Sequence, residues 1–146
     1  GDVAMGIYDR LHQILPGKPK QIFLLIGVND ISHDLSTDSI VQMIEKNVTR
    51  IQRESPETKL YLQSLLPIDE SFNRYKKLTN KTYQIPEIND RLKALAKEKK
   101  IDFIDLYPLF TEKGTNVLRK ELTYDGLHLK EEGYKIWVDA IKKKMK

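Results

Sequence analysis

Apolar residues follow two different patterns along this chain. Three short segments are rich in apolar residues: Ile22–Ile26 (IFLLI), which is unbroken, Lys59–Leu66 (KLYLQSLL) and Ile101–Leu106 (IDFIDL). Between and around them, apolar residues recur every three or four positions. The first run has no polar residue alternating with it, so neither of its faces expects water. Short, rich in Ile and Phe and ended by Gly27, it predicts a central strand of a parallel sheet covered on both sides. The second run is a strand ended by Pro67. The third half alternates, which places it nearer an edge.

The periodic stretches predict four helices. Residues 2–15 place Met5, Tyr8, Leu11, His12 and Leu15 at three- and four-residue spacing, with Ile7 and Ile14 beside them, and stop at Pro16-Gly17. Ser36, Thr37 and Asp38 offer N-caps for a helix that buries Ile40, Val41, Ile44, Val48 and Ile51 and ends near Ser55-Pro56. Pro86 opens a third, with Ile88, Leu92, Leu95 and Ala96 inward. A last helix from about Glu131 is expected to bury Tyr134, Trp137, Val138, Ile141 and Met145. Residues 31–35 and 111–124 read as loop. Residues 68–84 are polar, lack a clear period and are long for a connector, which suits a pocket wall built around Phe72, Tyr75 and Tyr83.

Alternation of helices and strands implies an α/β fold: one three-layer α/β/α domain over residues 1–146, with a parallel sheet and right-handed crossovers. Three strands are few for such a sheet. The Ile22–Ile26 run reads as central yet comes first, and a bare apolar edge invites aggregation. The chain therefore reads as the C-terminal part of a larger sheet. A further strand, a homodimer or another partner is expected along that edge.

Composition narrows the picture little. The 146 residues are 40% hydrophobic and 32% charged, the balance of a globular domain rather than a disordered one. No apolar run approaches the ~20 residues needed to span a bilayer. The net charge of +4 owes much to Lys142, Lys143, Lys144 and Lys146. Without interleaved aromatics, these read as the solvated end of a helix rather than a nucleic-acid surface. The absence of cysteine removes disulfides and a Cys nucleophile. The compartment stays open, secreted or periplasmic included.

Two clusters carry candidate chemistry. Gly27-Val28-Asn29-Asp30 ends the first strand, where open α/β sheets hold their sites, and Asn29 offers an amide donor there. In Asp125-Gly126-Leu127-His128 the spacing lets a carboxylate reach the ring Nδ1–H and leave Nε2 as a base. Each also has a plain reading, the first as a strand-end turn and the second as a helix N-cap beside an incidental histidine. Ser32 and His33, just past Asn29, are candidate pocket residues with Gly27 and Asp30. Ser36 and Ser39 belong to a helix start, Ser64 to a strand, and Ser55 and Ser71 to turns.

Taken together, the G-x-N-D and D-x-x-H motifs at this separation resemble the SGNH hydrolase (GDSL esterase/lipase) superfamily. Gly1-Asp2, leading into a helix, resembles a further block of that family. The resemblance implies a flavodoxin-like sheet and an ester hydrolase acting on small, carbohydrate-borne or lysolipid acyl esters. It implies His128 as base, Asp125 as its orienting carboxylate, and Asn29 and the Gly1 backbone N–H as oxyanion donors. It implies no metal or organic cofactor. The family's nucleophilic serine lies in a G-D-S block that this chain lacks, so that serine is expected upstream of Gly1. A non-catalytic pseudo-hydrolase that binds an ester or glycan is the alternative.

Overall fold

The computed structural model describes residues 4–145. Gly1 and the expected helix start at Asp2 therefore lie outside the described residues. The elements are α1 (Ala4–Ile14), β1 (Gln21–Leu24), α2 (Val28–Ser32), α3 (Thr37–Glu54), β2 (Lys59–Gln63), α4 (Gln84–Lys99), β3 (Asp102–Ile104), α5 (Tyr107–Phe110) and α6 (Glu131–Met145). All three strands are parallel, in the order β1-β2-β3. Gln21 pairs with Lys59 at the start of β1, and Tyr61 with Asp102 at the start of β3.

Side-chain alternation along the strands separates two cores. Leu24, Leu60 and Leu62 face one way, onto the inner faces of α1, α3 and α4. Tyr61 faces the other way with Phe23, their rings stacked at 4.6 Å. That side is filled by Ile104, Leu106, Phe110, Leu118 and Leu122 and flanked by α6. The result is the three-layer α/β/α arrangement.

The helices follow their apolar spacing. In α3 the expected residues Ile40, Val41, Ile44, Val48 and Ile51 are all buried, and Ser36 is the N-cap, its hydroxyl accepting from Ser39 N–H at 3.1 Å. In α4 Ile88, Leu92, Leu95 and Ala96 are buried as expected, but the helix starts at Gln84, with Pro86 within its first turn. That is tolerated because the first-turn N–H groups have no intrahelical partner.

Several expectations need correction. Among the described residues β2 lies in the middle and β1 at one edge, the open edge that the apolar run leads one to expect; the strand itself is shorter than the run, its pairing ending at Leu24 rather than Ile26. Residues 31–35 are not wholly loop, because the short α2 reaches Ser32. The 68–84 stretch is largely structured, with short 3-10 turns at Glu70–Phe72 and Lys76–Leu78 and with Ile68 and Leu78 in the core. The stripe of α6 is only partly buried: Trp137 and Ile141 pack against the second core, but Tyr134 is 52%, Val138 48% and Met145 45% exposed. Periodicity marks a face that seeks cover, and here part of that face has none among the described residues.

Where β2 ends, its main chain is completed by a side chain. Asn89, buried in α4, accepts from Leu65 N–H at 2.7 Å and donates to Leu65 C=O at 3.1 Å. One amide thus replaces a strand partner where the chain leaves the sheet. Asn89→Ala removes both bonds. We expect the unfolding free energy, measured by urea titration, to fall by about 3 kcal/mol.

Candidate active site

The carboxyl end of the sheet opens into a cleft of about 370 Å³. Gly27 and Asn29 after β1, Leu65 and Pro67 after β2, His128, and Trp137 of α6 are among its lining residues. The turn at Gly27 explains how Asn29 reaches it. Gly27 holds φ +137°, a left-handed value that favours glycine, and a Cβ there would meet the Leu65 side chain at 3.0 Å. The chain reverses at once into α2, which leaves Asn29 half-buried at the cleft. Its side-chain amide makes no hydrogen bond to another described residue.

His128 stands opposite, on a turn that Thr123 organises. The buried Thr123 hydroxyl donates to His128 C=O at 2.6 Å and accepts from Gly126 N–H at 2.9 Å. Asp125 then closes the turn with both oxygens. Its Oδ1 accepts from Leu127 N–H at 2.9 Å and His128 N–H at 2.7 Å; its Oδ2 lies 2.8 Å from His128 Nδ1. This assigns the proton to Nδ1, and Nε2 has no bond to a described residue. The His128 side chain is 66% exposed and Asp125 only 17%.

A tyrosine joins this pair. Tyr75 Oη lies 2.6 Å from Asp125 Oδ2 and 2.9 Å from His128 Nδ1. Burial raises the Asp125 pKa, but bonds from Tyr75, His128 and the His128 and Leu127 backbone override it and hold the carboxyl well below its usual range. The segment carrying Tyr75 is locked against the histidine turn. Asp69 N–H donates to Gly126 C=O at 2.9 Å, and a Cβ on Gly126 would stand 2.3 Å from Asp69 O and 3.1 Å from the Phe72 ring. Gly126 has φ +90°, so both conformation and contact demand glycine there.

Asn29, Gly27 and His128 thus meet at one cleft, with Asp125 behind the histidine. The other candidates stand apart. Asp30 is buried at 1% exposure and turned beneath α1, where both its oxygens accept from Ala4 N–H at 3.1 Å. Burial raises its pKa, while the Ala4 bond and the His33 charge pull it down. Ser32 donates to Asn29 C=O at 2.7 Å, a bond within its own short helix, and His33 is exposed beyond it. None of the chain's six serines lines the cleft. Of the three aromatics expected along one wall, Tyr75 touches the histidine, Phe72 packs beside Gly126, and Tyr83 is exposed. Among the described residues no cluster of three His, Asp or Glu could hold a metal, and no helix is long and apolar enough to cross a membrane.

The model of the GDSL-like lipase/acylhydrolase family matches residues 1–136, and the chain belongs to that family. Among solved structures, a GDSL-like lipase from Bacteroides thetaiotaomicron VPI-5482 superposes with a TM-score of 0.87 at 23% identity, covering 98% of this chain and 70% of that one. An acetyl xylan esterase superposes with a TM-score of 0.80 at 21% identity, covering 98% and 76%. At such identities the likeness is one of fold. A curated relative, the N-acylneuraminate cytidylyltransferase of Escherichia coli O18:K1:H7 (strain RS218 / NMEC), is 27% identical over 121 residues, 82% of this chain. The chain spans only 27% of that enzyme's length.

The depressed Asp125 pKa sets a direction with pH. A carboxyl whose folded pKa lies below its unfolded value, about 3.9, stabilises the fold above that value and loses the contribution as pH falls toward the folded pKa. Below about pH 4, stability should therefore fall less steeply in Asp125→Asn than in the parent, as read from urea midpoints across the acid range.

Proposed function

We propose that the protein is a carboxylic ester hydrolase of Ser-His-Asp type. His128 is the general base and then the acid, and Asp125 fixes its tautomer. Asn29 donates to the oxyanion, together with the backbone N–H of Gly1. The observation that carries this reading is the shared cleft: an Asn29 amide with no bond to another described residue and a histidine held at Nδ1 by a carboxylate 2.8 Å away.

In this reading, a serine hydroxyl loses its proton to His128 Nε2 while its Oγ attacks the ester carbonyl. The carbonyl oxygen becomes an oxyanion between Asn29 and Gly1. Collapse breaks the bond to the alcohol, which leaves with the proton from His128. Water, deprotonated by the same nitrogen, then releases the acid. Residues such as Ile7, Leu25 and Leu66 give the cleft an apolar side suited to an acyl group. The substrates are small, carbohydrate-borne or lysolipid acyl esters.

The nucleophilic serine arrives on a strand outside these 146 residues, seated along the free edge of β1. Two features favour that seat. The outer edge of β1 pairs with no strand among the described residues, and Tyr134 and Val138 of α6 are about half exposed. If another copy of the chain covers that edge instead, the full-length protein runs as a dimer in light scattering.

In the full-length protein, Asn29→Ala should lower kcat on p-nitrophenyl acetate by roughly 10²- to 10³-fold, and His128→Ala should nearly abolish turnover. Unchanged kcat in Asn29→Ala refutes the oxyanion role. A fluorophosphonate probe should label a serine other than the six present here. Labelling of Ser32 would overturn the placement of the nucleophile. No labelling at all would favour a pseudo-hydrolase that binds esters without cleaving them.

A further inference from the structure

We infer that Tyr75 is a positioning residue for the catalytic pair: its hydroxyl donates to Asp125 Oδ2, the same oxygen that faces His128 Nδ1, and so limits how much negative charge the imidazole receives. The inference rests on the acid–base role proposed for His128 and Asp125.

The geometry is a closed triangle. Tyr75 Oη, Asp125 Oδ2 and His128 Nδ1 are separated by 2.6, 2.9 and 2.8 Å. The direction of each bond follows from the groups. An ionised carboxylate only accepts, so the tyrosine hydrogen points at Oδ2. The hydrogen on Nδ1 then lies between Oδ2 and the lone pairs of Oη, a three-centre bond. Asp125, acting through its hydrogen bond, raises the Tyr75 pKa above its ordinary value, so the phenol stays protonated as a donor. The two ring planes are tilted by 59° at 5.8 Å, an edge-on approach rather than a stack.

The two oxygens of Asp125 therefore have different duties. Oδ1 is spent on the backbone of Leu127 and His128. Oδ2 is shared between a neutral donor, Tyr75, and the catalytic ring. Tyr75 itself is held by structure rather than chance. Its segment is clamped through Asp69 and Gly126, and Leu78 three residues on is buried at 4% exposure. Asp69, Glu70, Arg74 and Asp125 are the charged groups around the small space beside it. A purely packing tyrosine would not place its only polar atom within bonding distance of both members of the pair.

The test uses the full-length protein with p-nitrophenyl acetate across a pH series. Removing the hydroxyl in Tyr75→Phe leaves His128 as the main donor to Oδ2 outside the turn backbone. The imidazolium then keeps its proton to higher pH. The acid limb of the kcat profile should move up by about half a unit, with KM unchanged. Site-specific 3,5-difluorotyrosine at position 75 keeps the shape, strengthens the donor and should move the limb down. An ordered series from Phe through Tyr to difluorotyrosine supports the inference. An acid limb that stays fixed across the three overturns it, even if kcat falls, since lost packing alone lowers rate without that order. Asp125→Asn separates the two levels. If it leaves kcat intact, the acid–base reading fails; if it cripples kcat while the Tyr75 series is flat, only the tyrosine's role fails.

Discussion

The site depends on one carboxylate that is mostly withdrawn from water and surrounded by donors. Burial alone disfavours the charged form of Asp125, and its four donors reverse that balance. Two of them come from the backbone of its own turn, one from the histidine and one from a tyrosine fifty residues earlier. Each donor fixes a different degree of freedom. The backbone bonds set the plane of the carboxylate, the histidine bond sets the ring tautomer, and the tyrosine bond fastens a separate segment to the pair. A neutral amide at this position would keep the shape of the turn but could not hold all four partners in the same way.

The same requirement, that buried polar groups be satisfied, shapes the rest of the cleft wall. The chain must leave a buried sheet there, and side chains complete the exits of β2 and β3. Asn89 bonds both main-chain groups of Leu65. The Ser64 hydroxyl accepts from Leu106 N–H at 2.9 Å and Tyr107 N–H at 3.0 Å, fixing the start of α5. Gln63 takes the Trp137 indole N–H at 2.7 Å and so ties α6 to the central strand. Asp30 and Asn47 converge on Ala4, the first accepting from its N–H and the second donating to its C=O at 3.0 Å, which binds the start of α1 between α2 and α3. The apolar layers supply most of the burial, while these few bonds decide where the loops around the cleft stand.

Much of this could be read from the sequence, and the limits have physical causes. The strands and α3 and α4 follow from apolar spacing because their faces are covered by neighbours in the same chain. Asn29, Asp125 and His128 were legible because local spacing places them, the last two only three residues apart. Tyr75 was visible only as an aromatic in a polar stretch, because its bonds span fifty residues and leave no period behind. Thr123 and Asn89 were missed for the same reason: a polar residue that completes someone else's backbone looks like any surface polar residue. The short α2 leaves no trace in the sequence because a single turn after a glycine has no room for an apolar stripe. Asp30 was grouped with the pocket through its neighbour Asn29, yet successive residues on a helix point about 100° apart, and this one turns into the core.

The exposed half of α6 follows from the same logic. Its apolar spacing resembles that of α3, but only Trp137, Ile141 and their near neighbours meet the second core. The helix cannot rotate to bury Tyr134 and Val138 without breaking the Trp137–Gln63 bond. It would also shift the turn that immediately precedes it, which carries His128. Tyr134 and Trp137, with rings stacked at 6.1 Å, stand on the same cleft as Leu25 beyond β1. Whatever covers that open side would share a wall with the His128 ring. A helix whose apolar face is left half exposed is thus also one that lines the cleft beside His128.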